Sequence, residues 1–202
     1  MRIKKPALIT SSLIKKAVYF SAEKHDKQYR KGLRVPYFAH PVLVALGVLE
    51  YSHDENLIAA AILHDILEDC RGVTTKELEK LFGEKVSKIV LEVTFLKGKY
   101  IKNMSWKNRK QFYINKIQKD SKEALLIVAS DKITNMKGYF EFAESNSQKE
   151  LSKLFHASLQ DYFWYYKKIL TILKSRLHNH QIVKEYENLI QHYELKLMLE
   201  KN

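Results

Sequence analysis

The sequence predicts an all-α fold, and three observations carry the prediction. Glycine and proline are scarce, 6 and 3 of 202 residues, roughly half the usual share or less. Hydrophobic residues make up 46% and charged ones 29%, and the apolar positions recur at helical rather than strand spacing. Capping signals punctuate the chain, whereas no alternating stretch is long enough for more than a short hairpin. The length fits one domain able to bury a substantial core.

Taken in order, helices are expected at about 9–30, 40–52, 54–69, 74–82, 83–95, 107–119, 121–138, 147–176 and 180–200. The first ends before Gly32-Leu33-Arg34-Val35-Pro36, because Pro36 disfavours a helical Val35. The second opens on His40-Pro41, a proline suited to a first helical turn. Asn56 to Asp69 gives an apolar face from Ala59, Ala60, Ile62, Leu63, Ile66 and Leu67. Thr74-Thr75-Lys76-Glu77 is a capping-box pattern, and Gly83 is placed to end that helix. The basic stretch around Lys97, Lys99, Lys102, Lys107, Arg109, Lys110, Lys116 and Lys119 contains Gly98 and has two readings, a mobile flap over about 96–120 or an exposed helix face and loop. An apolar helix through Leu125–Ala129 is interrupted by Asp131, with Asn135 one turn later. Phe155, Tyr162, Phe163, Trp164, Tyr165 and Tyr166 belong to an amphipathic C-terminal region whose rings are expected mostly in the core.

Cys70 is the only cysteine, so no internal disulfide forms, and no leader pattern opens the chain. No apolar run reaches the length of a membrane span; even Leu57–Leu63 is cut off by His64 and Asp65. A soluble, cytoplasmic protein with no membrane partner is the expectation.

Lys and Arg exceed Asp and Glu by 35 − 23 = +12, which suits an anionic partner. The charge is unevenly spread. From Val35 to Cys70 there is no Lys or Arg, yet Glu50, Asp54, Glu55, Asp65, Glu68 and Asp69 fall there. At about 100° per residue, His64, Asp65, Glu68 and Asp69 share one face of a helix. Three carboxylates at such spacing repel. A metal ion, a distant basic residue or a retained proton on one carboxyl would relieve them. One reading has His64 and Asp65 ligating a metal with Glu68 and Asp69 beside its water; the other is a charged, solvated helix.

The ordered set resembles the HD-type phosphohydrolases, and more narrowly the hydrolase domain of Rel/SpoT alarmone enzymes and the small alarmone hydrolases. The residues carrying the resemblance are Gln28-Tyr29-Arg30-Lys31-Gly32, Pro36-Tyr37, His40-Pro41, Ala60-Ala61-Ile62-Leu63-His64-Asp65, Glu68-Asp69, Phe82-Gly83, Val93-Thr94, Ser130-Asp131-Lys132 and Asn135-Met136. Trp106 to Tyr113 and Trp164-Tyr165-Tyr166 add to it, so the similarity runs over most of the chain.

The resemblance implies a single-domain HD-type helical bundle with a metal held by His40, His64, Asp65 and Asp131. That mixed nitrogen and oxygen set suits manganese among the divalent ions. It implies that Glu68 and Asp69 work beside the metal in hydrolysis, that Arg30 and Lys31 face the nucleotide, and that Asn135 lines the pocket near Asp131. The implied substrate is a phosphorylated guanine nucleotide, ppGpp in the alarmone hydrolases, cleaved between the 3′ oxygen and pyrophosphate. No synthetase segment is expected, so the chain would only degrade alarmones.

The match has departures. Family members usually carry a Lys-Leu-Ala-Asp-Arg type run at the fourth ligand, whereas this chain reads Ile127-Val128-Ala129-Ser130-Asp131-Lys132, keeping the acid and one basic residue. Cys70 stands where threonine is frequent and reads as a small buried residue, its acidic neighbours being wrong for a reactive thiolate. The alternatives are a phosphohydrolase of the same fold acting on another nucleotide or phosphate ester, and a non-catalytic nucleotide- or RNA-binding protein. No nucleic-acid module is recognisable, so no nucleic-acid partner is expected.

Overall fold

The structure, a computed structural model, describes residues 11–95, 101, 103–145 and 157–199. The chain forms two compact units, Met1–Leu96 and Lys97–Asn202.

In the first unit, α1 (Ser12–Lys24) is capped by Ser11, whose Oγ accepts from the Ile14 N–H at 3.3 Å. The same hydroxyl donates to Glu55 Oε2 at 2.7 Å, tying α1 to α3. α1 ends six residues sooner than expected, because the chain turns at His25–Gln28 with Lys27 at φ 59°. The segment that follows is the short hairpin that the sequence leaves open. Tyr29 and Pro36 form an isolated antiparallel bridge, with Arg30 N–H donating to Val35 O and Tyr37 N–H to Gln28 O. Gly32 supplies the positive φ (77°) that this turn requires.

Beyond it lie α2 (Ala39–Leu49), α3 (Glu55–Ile62), α4 (Ile66–Asp69), α5 (Thr75–Phe82) and α6 (Glu84–Val93). Every residue of α3 from Leu57 to Ile62 is buried, and α3 packs against α1, α2 and α6. Ala59, Ala60 and Ala61 have no exposure at all, and small side chains let neighbouring helices approach closely. Asp54 caps this central helix by accepting from the Asn56 N–H at 2.9 Å. The capping signals at the next helix hold as read: Thr74 Oγ1 accepts from Glu77 N–H, and Gly83 ends α5 at φ 86°.

The expected single helix over 54–69 is corrected, since it is broken between Ile62 and Ile66. In an unbroken helix the Ala61 carbonyl would accept from the Asp65 N–H. Here it receives His64 Nδ1 at 2.8 Å, and the backbone tightens to three-residue spacing, with Ile66 N–H donating to Leu63 O. A side chain that competes for the helix ladder is the physical cause.

The second unit contains α7 (Trp106–Ile117), α8 (Lys122–Ser145), α9 (Leu159–Leu177) and α10 (Gln181–Leu199), with α9 packed against the other three. α8 runs seven residues further than expected. Residues 157–158 are not helical, so the expected 147–176 helix is not continuous: α9 begins at Leu159, where Ser158 caps it by accepting from the Asp161 N–H, and residues 147–156 lie outside the described residues. Tyr165 and Tyr166 are buried, while Tyr162, Phe163 and Trp164 are half-buried and Phe155 lies outside the described residues. Of the expected flap, residues 96–100 and 102 also lie outside them, and its second half is the helix α7. Among the described residues no helix is long and apolar enough to cross a membrane.

Candidate metal centre

The break between α3 and α4 places two ligand types at one point. His64 sits in the break and Asp65 stands immediately before α4, its side chain making no capping bond, while His40 comes from the first turn of α2. His40 and His64 are 3% and 5% exposed. Their Nε2 atoms lie 3.6 and 3.1 Å from the same oxygen, Asp65 Oδ2. One ligand atom from each of the three residues can be chosen so that all lie within 4.8 Å of one another.

The tautomer of His64 follows from its partner. A carbonyl only accepts, so Nδ1 carries the proton it donates to Ala61 O. In the neutral ring Nε2 then holds a lone pair that faces a carboxylate oxygen. Two electron-rich atoms at that distance repel unless a proton or a cation lies between them. A backbone carbonyl that fixes the far nitrogen is also the usual support of a metal-bound imidazole. Two imidazoles and a carboxylate therefore fit a divalent cation.

Tyr37, to which the sequence reading assigns no role, joins this centre. Its hydroxyl is 2.7 Å from Asp65 Oδ2 and 3.1 Å from Asp69 Oδ2. Burial first, and then the two carboxylates, hold the phenol far above its ordinary range, so it stays a proton donor. The signal in the sequence was Pro36-Tyr37, three residues before His40, whose partners 28 and 32 residues away no local pattern reveals. Glu68 is half-buried and Asp69 exposed on the single turn α4; Asp69 reaches the centre through Tyr37. Arg30 lies over the Tyr37 ring at 5.6 Å, and Lys31 is exposed on the hairpin.

Cys70 is 7% exposed and donates to Lys24 O at 3.3 Å. Burial pushes its thiol up to about 11, with Asp69 and Asp65 adding to the shift against the Gln28 hydrogen bond. That is an inert, packed thiol.

In the second unit Asp131 is 8% exposed on α8. Asn135 Nδ2 donates to its Oδ1 at 2.5 Å, and Lys132 Nζ pairs with its Oδ2. Burial alone would lower the Lys132 pKa; the adjacent Asp131 carboxylate outweighs it and holds the ammonium above its ordinary value. The structure thus brings His40, His64 and Asp65 together, links Asp69 to them, and pairs Asn135 with Asp131 within the other unit.

An all-helical protein whose broken helix delivers His-Asp against a second histidine defines a class, that of helical proteins with a candidate site for a divalent cation. The chain belongs to the HD domain family, whose model matches residues 17–157. A guanosine-3′,5′-bis(diphosphate) 3′-pyrophosphohydrolase of Aquifex aeolicus is 36% identical over 137 residues, 67% of this chain and 19% of that protein. A protein of Mycoplasma pneumoniae described as a probable enzyme of the same name is 30% identical over 70% of this chain and 20% of its own length. The chain therefore spans about a fifth of these relatives. Among solved structures, a metazoan ortholog of SpoT that hydrolyzes ppGpp superposes with a TM-score of 0.71 at 27% identity, covering 91% of this chain and 96% of that one.

Proposed function

We propose that this chain is a divalent-cation-dependent phosphohydrolase that takes pyrophosphate from the 3′ position of guanosine 3′,5′-bis(diphosphate). The observation that carries the reading is the convergence of His40, His64 and Asp65, with the His64 tautomer fixed by Ala61. The printed activities of the Aquifex and metazoan relatives supply the substrate class.

His40, His64 and Asp65 hold the cation, and manganese suits their donor set. Asp131 is the proposed fourth ligand. It lies inside the family-matched stretch, and Asn135 holds its buried carboxylate in one orientation. A bound cation stabilises charge developing on the phosphoryl oxygens and acidifies a water. Glu68 accepts the proton of the attacking water as general base. Water adds to the phosphorus attached to the 3′ oxygen; the bond to that oxygen breaks, and the oxygen takes up a proton. The products are pyrophosphate and GDP. Arg30 and Lys31 bind the phosphates and lower the charge of the approaching nucleotide.

The test is turnover of ppGpp by the purified chain with Mn²⁺. Pyrophosphate and GDP are expected in equal amounts, and Glu68→Ala should bind Mn²⁺ as before with its rate lowered by about a hundredfold or more. Orthophosphate released only from nucleoside monophosphates would overturn the substrate. Salt-dependent RNA binding with no metal-dependent turnover would overturn the enzymatic reading.

A further inference from the structure

We propose that Tyr37 is a positioning residue of the metal centre, its hydroxyl coupling the ligand Asp65 to Asp69 across the hairpin and α4. The proposal rests on the cation-binding part of the reading above, not on the identity of the substrate.

The geometry is specific. Asp65 Oδ2 is the oxygen that both His40 and His64 face, and it is the same oxygen that the Tyr37 hydroxyl reaches at 2.7 Å. A second carboxylate oxygen, Asp69 Oδ2, stands 3.1 Å from that hydroxyl. A phenol has one proton to donate, so one neutral donor serves two anions that would otherwise repel one another. Without it, Asp65 keeps its imidazole neighbours but loses a 2.7 Å donor to the oxygen that faces them. Asp69 loses the hydroxyl that it shares with Asp65.

The ring is itself held in place. His25 lies against one part of it at 4.9 Å between centroids, His40 meets it edgewise at 5.9 Å, and the Arg30 guanidinium covers it at 5.6 Å. The Tyr37 N–H donates to Gln28 O at 2.8 Å, while the Gln28 side chain takes His25 Nδ1 and donates to Asp69 O. Gln28 therefore fastens Tyr37 and Asp69 to the same point by two separate bonds. A hydroxyl so fully positioned can select one arrangement of the carboxylates, which is how partners behind a ligand tune a metal site.

The experiment is a calorimetric titration of the metal-free full chain with Mn²⁺ alone, comparing wild type with Tyr37→Phe. Phenylalanine keeps the ring contacts and deletes only the hydroxyl. Mn²⁺ affinity should fall about tenfold while the thermal midpoint of the metal-free protein stays in place, the usual scale for loss of such a partner. At saturating Mn²⁺, Tyr37→Phe and Asp69→Asn should lower kcat non-additively, with KM little changed, because both cut one connection. A loss of Mn²⁺ affinity smaller than about threefold (roughly 0.65 kcal/mol) would overturn the proposal, whatever the rates. A chain that binds Mn²⁺ but leaves ppGpp intact fails the functional reading alone. Equal Mn²⁺ binding by both proteins fails the role of Tyr37 alone.

Discussion

Asp54 caps the helix on which the candidate centre depends, and replacing it should loosen the fold without touching the chemistry. Its Oδ1 accepts from the Asn56 N–H at 2.9 Å, and its Oδ2 takes Lys85 Nζ at 2.6 Å. Loss of an N-cap acceptor costs about 1 kcal/mol. The ion pair is about half exposed on the lysine side and a third on the aspartate side; screening limits it to about 0.5 kcal/mol. Asp54→Ala should therefore cost about 1.5 kcal/mol, and Asp54→Asn, which keeps a capping oxygen, only about 0.5 kcal/mol. For a chain of this size these costs correspond to falls of about 3–6 °C and 1–2 °C in Tm. Calorimetric melts read both, and Mn²⁺ affinity at 15 °C should stay unchanged in each variant. Desolvation tends to raise the Asp54 pKa, but the Lys85 and Asn56 hydrogen bonds outweigh it and hold the carboxyl below its ordinary value. Its charged form therefore stabilises the fold fully above the unfolded pKa of about 3.9, and that share is lost as pH falls through the lower folded value. The gap between wild type and Asp54→Ala should be constant from pH 5 to 7 and narrow below about pH 4. An Asp54→Asn variant that melts as low as Asp54→Ala, or a gap that widens on acidification, would refute the reasoning.

Three further outcomes follow, two at the site and one at the buried thiol. Asp65→Asn removes the oxygen that both imidazoles face and should abolish tight Mn²⁺ binding in calorimetry, and Asp131→Ala should do the same if that acid is the fourth ligand; full retention of Mn²⁺ affinity in Asp131→Ala would remove it from the set. With its pKa pushed up to about 11, the Cys70 thiol should resist iodoacetamide in the folded chain at pH 7.5 and react promptly in urea; mass spectrometry that finds rapid alkylation of the native protein would contradict its packed state.

The local devices were legible because each is written within a few residues. Thr74 and Gly83 bound α5 as their spacing indicates, and Pro36 closes the hairpin rather than continuing α1. Periodicity gave helices around nearly every expected position. It missed the interruption at His64 because the cause is a side-chain bond to Ala61, which leaves the apolar spacing of 54–69 intact. The candidate ligands His64 and Asp65 could be paired from adjacency alone. Their convergence with His40, 24 positions earlier, came from the family resemblance and not from periodicity.

Composition and periodicity by themselves determined that this chain is helical, that Ala59 and Ala60 stand on the apolar face of a helix, and that acid is gathered in a basic protein. Those properties depend on near neighbours and on averages, which a linear pattern records. Only the tertiary structure decided that one oxygen of Asp65 serves two imidazoles, and that a tyrosine from the hairpin stands between Asp65 and Asp69. Such contacts depend on where the chain returns in space, on distances of a few ångströms between residues tens of positions apart, and no local preference encodes them.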